Sequence, residues 1–254
     1  LNHLRIINNN LFQVDSLSQN EFERLYISLR KKEGRYFTVN EIAKLPNVAH
    51  SHQLFKEWKI RKKSCYHLLN YIKKKGRICN ILEVGCGNGW LTAQLVSITK
   101  GTVTGIDINR AELKKANKVF QKRGRLNFVY GDIRSGILGD QKFDLIVFAA
   151  SIQYFKSLKE IVNSALQHLT LQGEIYILDS PFYAIEEVFP ARLRTQKYFS
   201  ALGFPQMSRY YFHHRLRELK SYNCKILYNP RSWINKLLFR KNPFYRIVIR
   251  NNYE

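Results

Sequence analysis

The stretch Glu83-Val84-Gly85-Cys86-Gly87-Asn88-Gly89 decides how this chain folds. It is preceded by a short β-branched run, Ile81-Leu82-Glu83-Val84, and followed by an amphipathic stretch carrying Leu91, Leu95 and Val96. The pattern reads as strand, glycine turn and helix. Glycines there allow a tight turn and let backbone approach a ligand closely. In an open α/β sheet, the crevice beyond the strand ends is where ligands bind. A dinucleotide fingerprint, GxGxxG, would require a third glycine at position 90, which is Trp90; the pattern is GxGxG. Glu83, just before the first glycine, would repel a pyrophosphate and attract a cation.

Working outward, the same alternation recurs. Val103 to Ile106 predicts a strand, Arg110 to Lys122 a charged helix and Asn127 to Tyr130 a strand. Phe143 to Ala149 predicts a nearly all-apolar strand, Leu158 to Leu169 a helix and Glu174 to Leu178 a fifth strand. Strands apolar on both faces and alternating with helices predict a parallel sheet covered on both sides. Upstream, Leu54, Trp58, Cys65, Leu68 and Ile72 keep to one side of a helix over about Ser51 to Lys75. Arg61 falls on that side and needs an anionic partner there. Beyond Ser180 we expect helices at Glu187 to Leu202 and Tyr210 to Leu219. Strands at Lys225 to Tyr228 and Tyr245 to Arg250 then follow, pairing antiparallel. Residues 1–50 carry short helical patterns such as Glu21 to Leu29. The expected organisation is a helical N-terminal extension, 1–50, and one domain, 51–254. That domain divides into a cofactor-binding core, 76–180, and an acceptor-side part, 181–254.

Two more carboxylates mark the strand ends. Asp107 closes the second strand 22 residues after Gly85, from where it can accept both hydroxyls of a ribose. Asp132 closes the third; its side chain can accept from an exocyclic adenine amine, while Ile133 offers a backbone donor and an apolar wall. Glu83, Asp107 and Asp132 on one edge suit a cationic adenosine ligand better than a diphosphate.

These pieces, ILEVGCGNG, VTGIDIN, VYGDI, FDLIVFAASIQYF and LTLQGEIYILDS, resemble the class I S-adenosylmethionine-dependent methyltransferases, in that family's order and spacing from about Ile81 to Asp179. The likeness is to the small-molecule, type 11-like branch. It implies an α/β, Rossmann-like fold: a seven-stranded, mostly parallel sheet with helices on both faces and a C-terminal antiparallel hairpin. It also implies S-adenosylmethionine as cofactor, with S-adenosylhomocysteine as product. Gly85, Cys86, Gly87, Asn88 and Gly89 would hold its methionine and ribose part, Asp107 and Ile108 the ribose, and Asp132 and Ile133 the adenine. The Ala149 carbonyl region would hold the amino group, with Glu83, Arg61 and Tyr154 completing the cofactor site.

No catalytic residue can be read. Transfer from a sulfonium needs chiefly alignment of acceptor, methyl and sulfur, and a base only for an acceptor that keeps its proton. The loop after the fourth strand, Ser151-Ile152-Gln153-Tyr154, has Gln153 where many small-molecule relatives carry a histidine pair. The Asn/Asp-Pro-Pro-Tyr/Phe motif of adenine-methylating relatives is absent, and none of the four cysteines lies in the loop directly after the fourth strand, as cytosine C5 chemistry requires. Ser180-Pro181-Phe182-Tyr183 reads as an acceptor-side loop, and His213-His214 as a surface pair on a helix.

The chain has 254 residues and a formal charge of +23, which disfavours basic partners. The excess is uneven: residues 81–180 hold 12 basic and 9 acidic side chains, residues 51–80 hold 9 and 1, and residues 181–254 hold 14 and 4. The flanks, not the core, face something anionic. The favoured partner is an anionic small-molecule or lipid-linked acceptor, with peripheral membrane contact left open. RNA bound by the basic flanks, and a non-catalytic binding protein on the same scaffold, are the alternatives. The Leu145 to Ile152 apolar run is far below the ~20 residues of a membrane-spanning helix. No secretory signal is visible, and four scattered cysteines without a CxxC pair predict neither a metal site nor a disulfide framework, so a cytoplasmic location is expected.

Overall fold

A computed structural model of the protein describes residues 4–8, 11–14, 21–76, 78–121, 124–237 and 242–251. Its centre is the predicted sheet: β3 (Ile81–Val84), β4 (Val103–Asp107), β5 (Leu126–Tyr130), β6 (Phe143–Ala149), β7 (Leu169–Leu178), β8 (Asn223–Tyr228) and β9 (Arg246–Arg250). A hairpin of β1 (Leu4–Asn8) and β2 (Leu11–Val14) adds two more strands to the edge at β5, so the N-terminal extension is not helical alone. The order is β1-β2-β5-β4-β3-β6-β7-β9-β8. Strands from β2 to β7 run parallel, while β1 pairs antiparallel with β2, and β9 antiparallel with both β7 and β8. Chain direction reverses its march across the sheet beside β3, which opens the ligand crevice at the ends of β3 and β6.

Strand alternation divides the core in two. Ile81, Leu145 and Val147 face one cluster with Trp58, Leu68 and Ile72 of α3 (Phe55–Lys75) and residues of α4 (Trp90–Leu95) and α5 (Arg110–Phe120). Leu82, Ile146 and Phe148 face the other, with Ile161 and Val162 of α6 (Leu158–Gln167). Every β3 position is buried, the reason a parallel strand reads as an unbroken apolar run. Asn109 caps α5 by accepting from the Glu112 N–H, and Ser157 caps α6 by accepting from the Glu160 N–H. Gly76 ends α3 in the left-handed conformation, φ 67°.

Two elements form a roof over the crevice, α1 (Glu21–Lys32) and α7 (Ile185–Ala201), while the short α2 (Val39–Ile42) packs beside α5 with Ile42 in the first core cluster; α8 (Trp233–Leu237) follows β8. Leu29 of α1, Phe199 of α7 and Met207 make a third small core. The helix expected over Tyr210 to Leu219 is absent: two 3₁₀ turns, Pro205–Tyr210 and Leu216–Ser221, flank an extended segment. Its backbone is committed elsewhere, the Phe212 N–H donating to Gln153 O (2.8 Å) and His214 O accepting from the Tyr183 N–H (3.0 Å), which leaves no helical ladder to form.

Candidate functional site

The chain leaves β3 through three glycines in the left-handed region, Gly85 (φ 74°), Gly87 (φ 53°) and Gly89 (φ 72°). A Cβ on Gly85 would stand 2.5 Å from the Ser151 Cβ, and one on Gly89 2.6 Å from the Phe128 ring, so both ends of the loop are pressed against the sheet. A Cβ on Gly87 would meet nothing within 4 Å: this peptide faces the open crevice. Asp107, at the end of β4, secures the loop by accepting from the Gly87 N–H (2.7 Å) and from the Asn109 N–H (2.7 Å).

Buried carboxylates gather here. Burial pushes the Asp107 carboxyl up to about 6 against its backbone hydrogen bonds. Glu83 is buried on β3 and accepts from the Thr92 hydroxyl (2.6 Å); burial pushes it up to about 8, opposed by that bond and reinforced by Asp107. Asp179, just past β7, accepts from Ser64 Oγ (2.6 Å) and is pushed to about 6, again by burial. Among the described residues none of the three forms an ion pair, and Arg61, the cation whose field reaches Glu83 and Asp179, is itself paired with Glu57 at 2.9 Å. Desolvated carboxylates without a direct cation, beside a glycine cradle open at Gly87, fit a positively charged adenosine ligand. Ala150 (φ 55°) and Asp179 (φ 52°), ending β6 and β7, also hold left-handed backbone and line the crevice; strained residues tend to collect where geometry serves function.

The crevice widens into a cavity of about 750 Å³, within the usual range for ligand sites. The roof is cationic and aromatic. The Arg30 guanidinium on α1 donates to the Tyr154 hydroxyl (2.5 Å), pairs with Glu33 (2.5 Å) and lies 4.6 Å over the Tyr26 ring. Tyr154, in the turn after β6, also meets Tyr26 (5.6 Å) and Tyr211 (5.7 Å) edge to face. Arg35 pairs with Glu57 at 2.8 Å, and Lys56, Arg61 and Arg194 share the lining. The roof is bound to itself by Tyr198 donating to Glu33 and Tyr210 donating to Glu21. Glu23 fastens α1 to the core, accepting from the Arg110 N–H (2.7 Å) and the Tyr130 hydroxyl (3.3 Å). The helix thereby lies across the ends of β4 and β5.

Of the residues singled out in the sequence, Arg61, Glu83, Gly85, Cys86, Gly87, Asn88, Ala149 and Tyr154 line the cavity. Cys86 contributes backbone only: its thiol points into the core, where a Cβ on Gly105 would come within 2.8 Å of its sulfur. Asp107 acts from behind the loop, and Gly89 caps α4. Half-buried Ile108, together with Asp132 and Ile133 at the end of β5, stands outside the cavity lining. Asp132 is engaged bidentately by Arg134 (2.9 and 2.6 Å), and Ile133 packs in the second core cluster. His213 and His214 are neither helical nor a surface pair. His214 is buried with Nε2 3.2 Å from Ile152 O, and His213 is half-buried with Nε2 2.9 Å from Thr195 Oγ1. Arg30 and Tyr26 of α1 have no motif in the sequence; the one available signal is the helical pattern from Glu21, which places Phe22, Tyr26 and Leu29 along one side.

Fold and site together define a mostly parallel α/β domain with a ligand crevice at the ends of β3 and β6. Residues 81–173 match the family model described as a methyltransferase domain. The malonyl-[acyl-carrier protein] O-methyltransferase of Bacillus anthracis is 29% identical over 118 residues, 45% of this chain and 43% of that protein. Its counterpart from Acetivibrio thermocellus is 34% identical over 118 residues, 45% and 41%. The chain thus spans less than half the length of the curated relatives it matches. Among solved structures, the YcgJ protein from Bacillus subtilis superposes with a TM-score of 0.57 at 13% identity, covering 74% of this chain and all of that one. The plantazolicin methyltransferase BpumL, in complex with a triazolic desmethylPZN analog and SAH, gives 0.54 at 16% identity over 91% and 98%. Residues 81–173 are therefore similar to a methyltransferase domain, and the chain shares the fold of the solved methyltransferase. Among the described residues no helix is long and apolar enough to cross a membrane, and no cluster could hold a metal ion.

Proposed function

We propose that the protein transfers a methyl group from S-adenosylmethionine to a small or lipid-linked acceptor bearing an acidic group. One observation carries this reading: a single cavity has unpaired carboxylates at its glycine-loop end and arginines at its roof. When bound, S-adenosylmethionine supplies a methyl group already activated by the sulfonium charge. The Gly85–Gly89 loop holds the methionine and ribose part, with the Gly87 peptide exposed to it. Asp107 accepts from the ribose hydroxyls with the lone pairs left free by its two backbone bonds. Ile108 flanks the ribose, Ala149 O and Glu83 attract the amino group, and Arg61, half-buried on α3, balances the carboxylate. Asp132 and Ile133 form the adenine end, where Arg134 shares Asp132 with the base.

On the acceptor side, Arg30 and Arg194 hold the anion, while Tyr26, Tyr154 and Tyr211 exclude water and wall in its body. An ionised acid oxygen has no proton to lose, so this chemistry needs no general base, which agrees with a cavity lined by Gln153 and tyrosines and not by a histidine. The roof supplies orientation, the part of catalysis worth several kcal/mol. The relatives named above are malonyl-[acyl-carrier protein] O-methyltransferases, and a carboxylate acceptor is consistent with the arginines here.

Calorimetry with S-adenosylmethionine, S-adenosylhomocysteine and NAD tests the cofactor: the first two bind and NAD does not. Binding of NAD alone, or of none, overturns the reading. Transfer of labelled methyl to a panel of carboxylic, phosphorylated and neutral acceptors tests the rest; labelling confined to the neutral ones removes the acidic acceptor.

A further inference from the structure

We propose that the outer face of α7, with Trp233 beside it, docks the protein on an anionic lipid bilayer. Ile185, Phe189 and Leu193 fall at i, i+4 and i+8, one stripe of the helix, and are 58%, 68% and 40% exposed. The other side of α7 is already used: Ala191 and Phe199 are buried, and Thr195 and Tyr198 line the cavity. The helix is therefore held from within while a second apolar stripe stands bare. Single exposed apolar residues are ordinary, but three on one stripe are not, and two more exposed apolar side chains stand near its N-terminal end. Arg231 pairs with Glu187 in the first turn of α7, which brings Trp233, 71% exposed, and Ile234, 48% exposed, to its N-terminal end.

The charge around the stripe identifies the occupant. Arg192 and Lys197 are exposed on the same helix, Glu187 is neutralised by Arg231, and Glu186 is the one exposed carboxylate left on α7. Residues 181–254 carry 14 basic and 4 acidic side chains. A second copy docked face to face would set these cations against their own images. A phenylalanine two-thirds exposed projects as a ridge, suited to entering a soft interface. Bulky aromatics on one face flanked by Lys and Arg are the composition of interfacial helices attracted to anionic lipid. Because the inner side of the same helix lines the cavity, docking would place the roof of the cavity against the lipid. The docking itself does not rest on the methyl-transfer reading.

The full chain is tested by co-sedimentation with vesicles of phosphatidylcholine alone and with about 30 mol% phosphatidylglycerol. Binding to the anionic vesicles only is expected, with a blue shift of tryptophan emission that Trp233→Phe removes. Phe189→Ser with Leu193→Ser should weaken partitioning at least ~10-fold, and Arg192→Gln with Lys197→Gln roughly 5-fold per charge. Far-UV circular dichroism and cofactor calorimetry on the same samples show that the surface variants are folded. Absence of binding to the anionic vesicles overturns the proposal. So does binding that Phe189→Ser with Leu193→Ser leaves unchanged, or association of the stripe with another copy instead of lipid in sedimentation equilibrium.

Discussion

At the floor of the cavity, Glu83 and Asp107 are set by backbone: one rides a fully buried strand, the other clamps a loop whose turns only glycine makes without strain. At the roof, Arg30, Arg35 and Arg194 reach in on long side chains from α1, the loop after it and α7. Those segments are joined by tyrosine hydroxyls and a core of a few residues. The floor segment is nearly balanced in charge, 12 basic to 9 acidic over residues 81–180, whereas residues 181–254 hold 14 to 4. A ligand common to a whole family needs a fixed receptor, and rigid backbone supplies one. A ligand that differs between members is better met by side chains whose reach can change without disturbing the sheet.

The largest expected effect tests the rigidity of the floor. Gly85→Ala places a Cβ 2.5 Å from that of Ser151 on a residue at φ 74°. It should cost about 2 kcal/mol or more in stability and lower cofactor affinity by about two orders of magnitude or more. Gly87→Ala has the same backbone sign and no clash, so it should cost about 1 kcal/mol and act mainly on binding. Thermal denaturation and calorimetry of both variants separate the two effects; equal stability losses would mean that the loop is not braced on Ser151.

A smaller effect tests the charge of the floor. Glu83 rises from 4.5 to about 8 and Asp107 from 3.8 to about 6, so the ligand-free fold keeps protons that the unfolded chain releases. Their stabilising contribution is full below pH about 4 and is lost as pH rises through about 6 and then about 8. A cationic cofactor has the opposite preference, since it needs both groups ionised. The thermal midpoint of the free protein should therefore fall from pH 5 to 8, while the upward shift caused by S-adenosylmethionine grows. Glu83→Gln keeps an acceptor for Thr92 and removes the upper titration, flattening both trends above pH 6. A midpoint difference between variant and parent that ignores pH would show that Glu83 is not the group responsible.

The same contrast explains what was legible beforehand. The five parallel strands read directly because burial on both faces leaves an unbroken apolar run, and the glycine loop because its φ values exclude most other residues. Phe143 to Ala149 coincides with β6, and Asp107 lies where its spacing from Gly85 put it. Roof contacts carry no local period. Tyr198 finds Glu33 and Tyr210 finds Glu21 across more than 160 residues. The segment after Tyr210 gives its backbone bonds to loops after β6 and β7, so a helix-like composition produced none. Asp132 stands at the strand end where its reading put it, and what had no local signal is the engagement of its carboxylate by Arg134 two residues on.

The smallest effect concerns Arg30, and it divides floor from roof. Its guanidinium joins α1 to Tyr154, and its hydrogen bonds to Tyr154 and Glu33 leave donor N–H groups for an acceptor anion. Arg30→Met retains the stem that packs over Tyr26 and removes the charge. With an anionic acceptor its KM should rise about 10-fold, as for loss of one charged hydrogen bond, while cofactor affinity changes by less than about 2-fold. Tyr154→Phe removes one partner of Arg30 without removing its charge, so the KM effect should be smaller and kcat should bear more of it through lost positioning. Cofactor affinity that falls in step with acceptor KM in Arg30→Met would show that the arginine belongs to the floor, and that the two ends of the cavity are one site electrostatically.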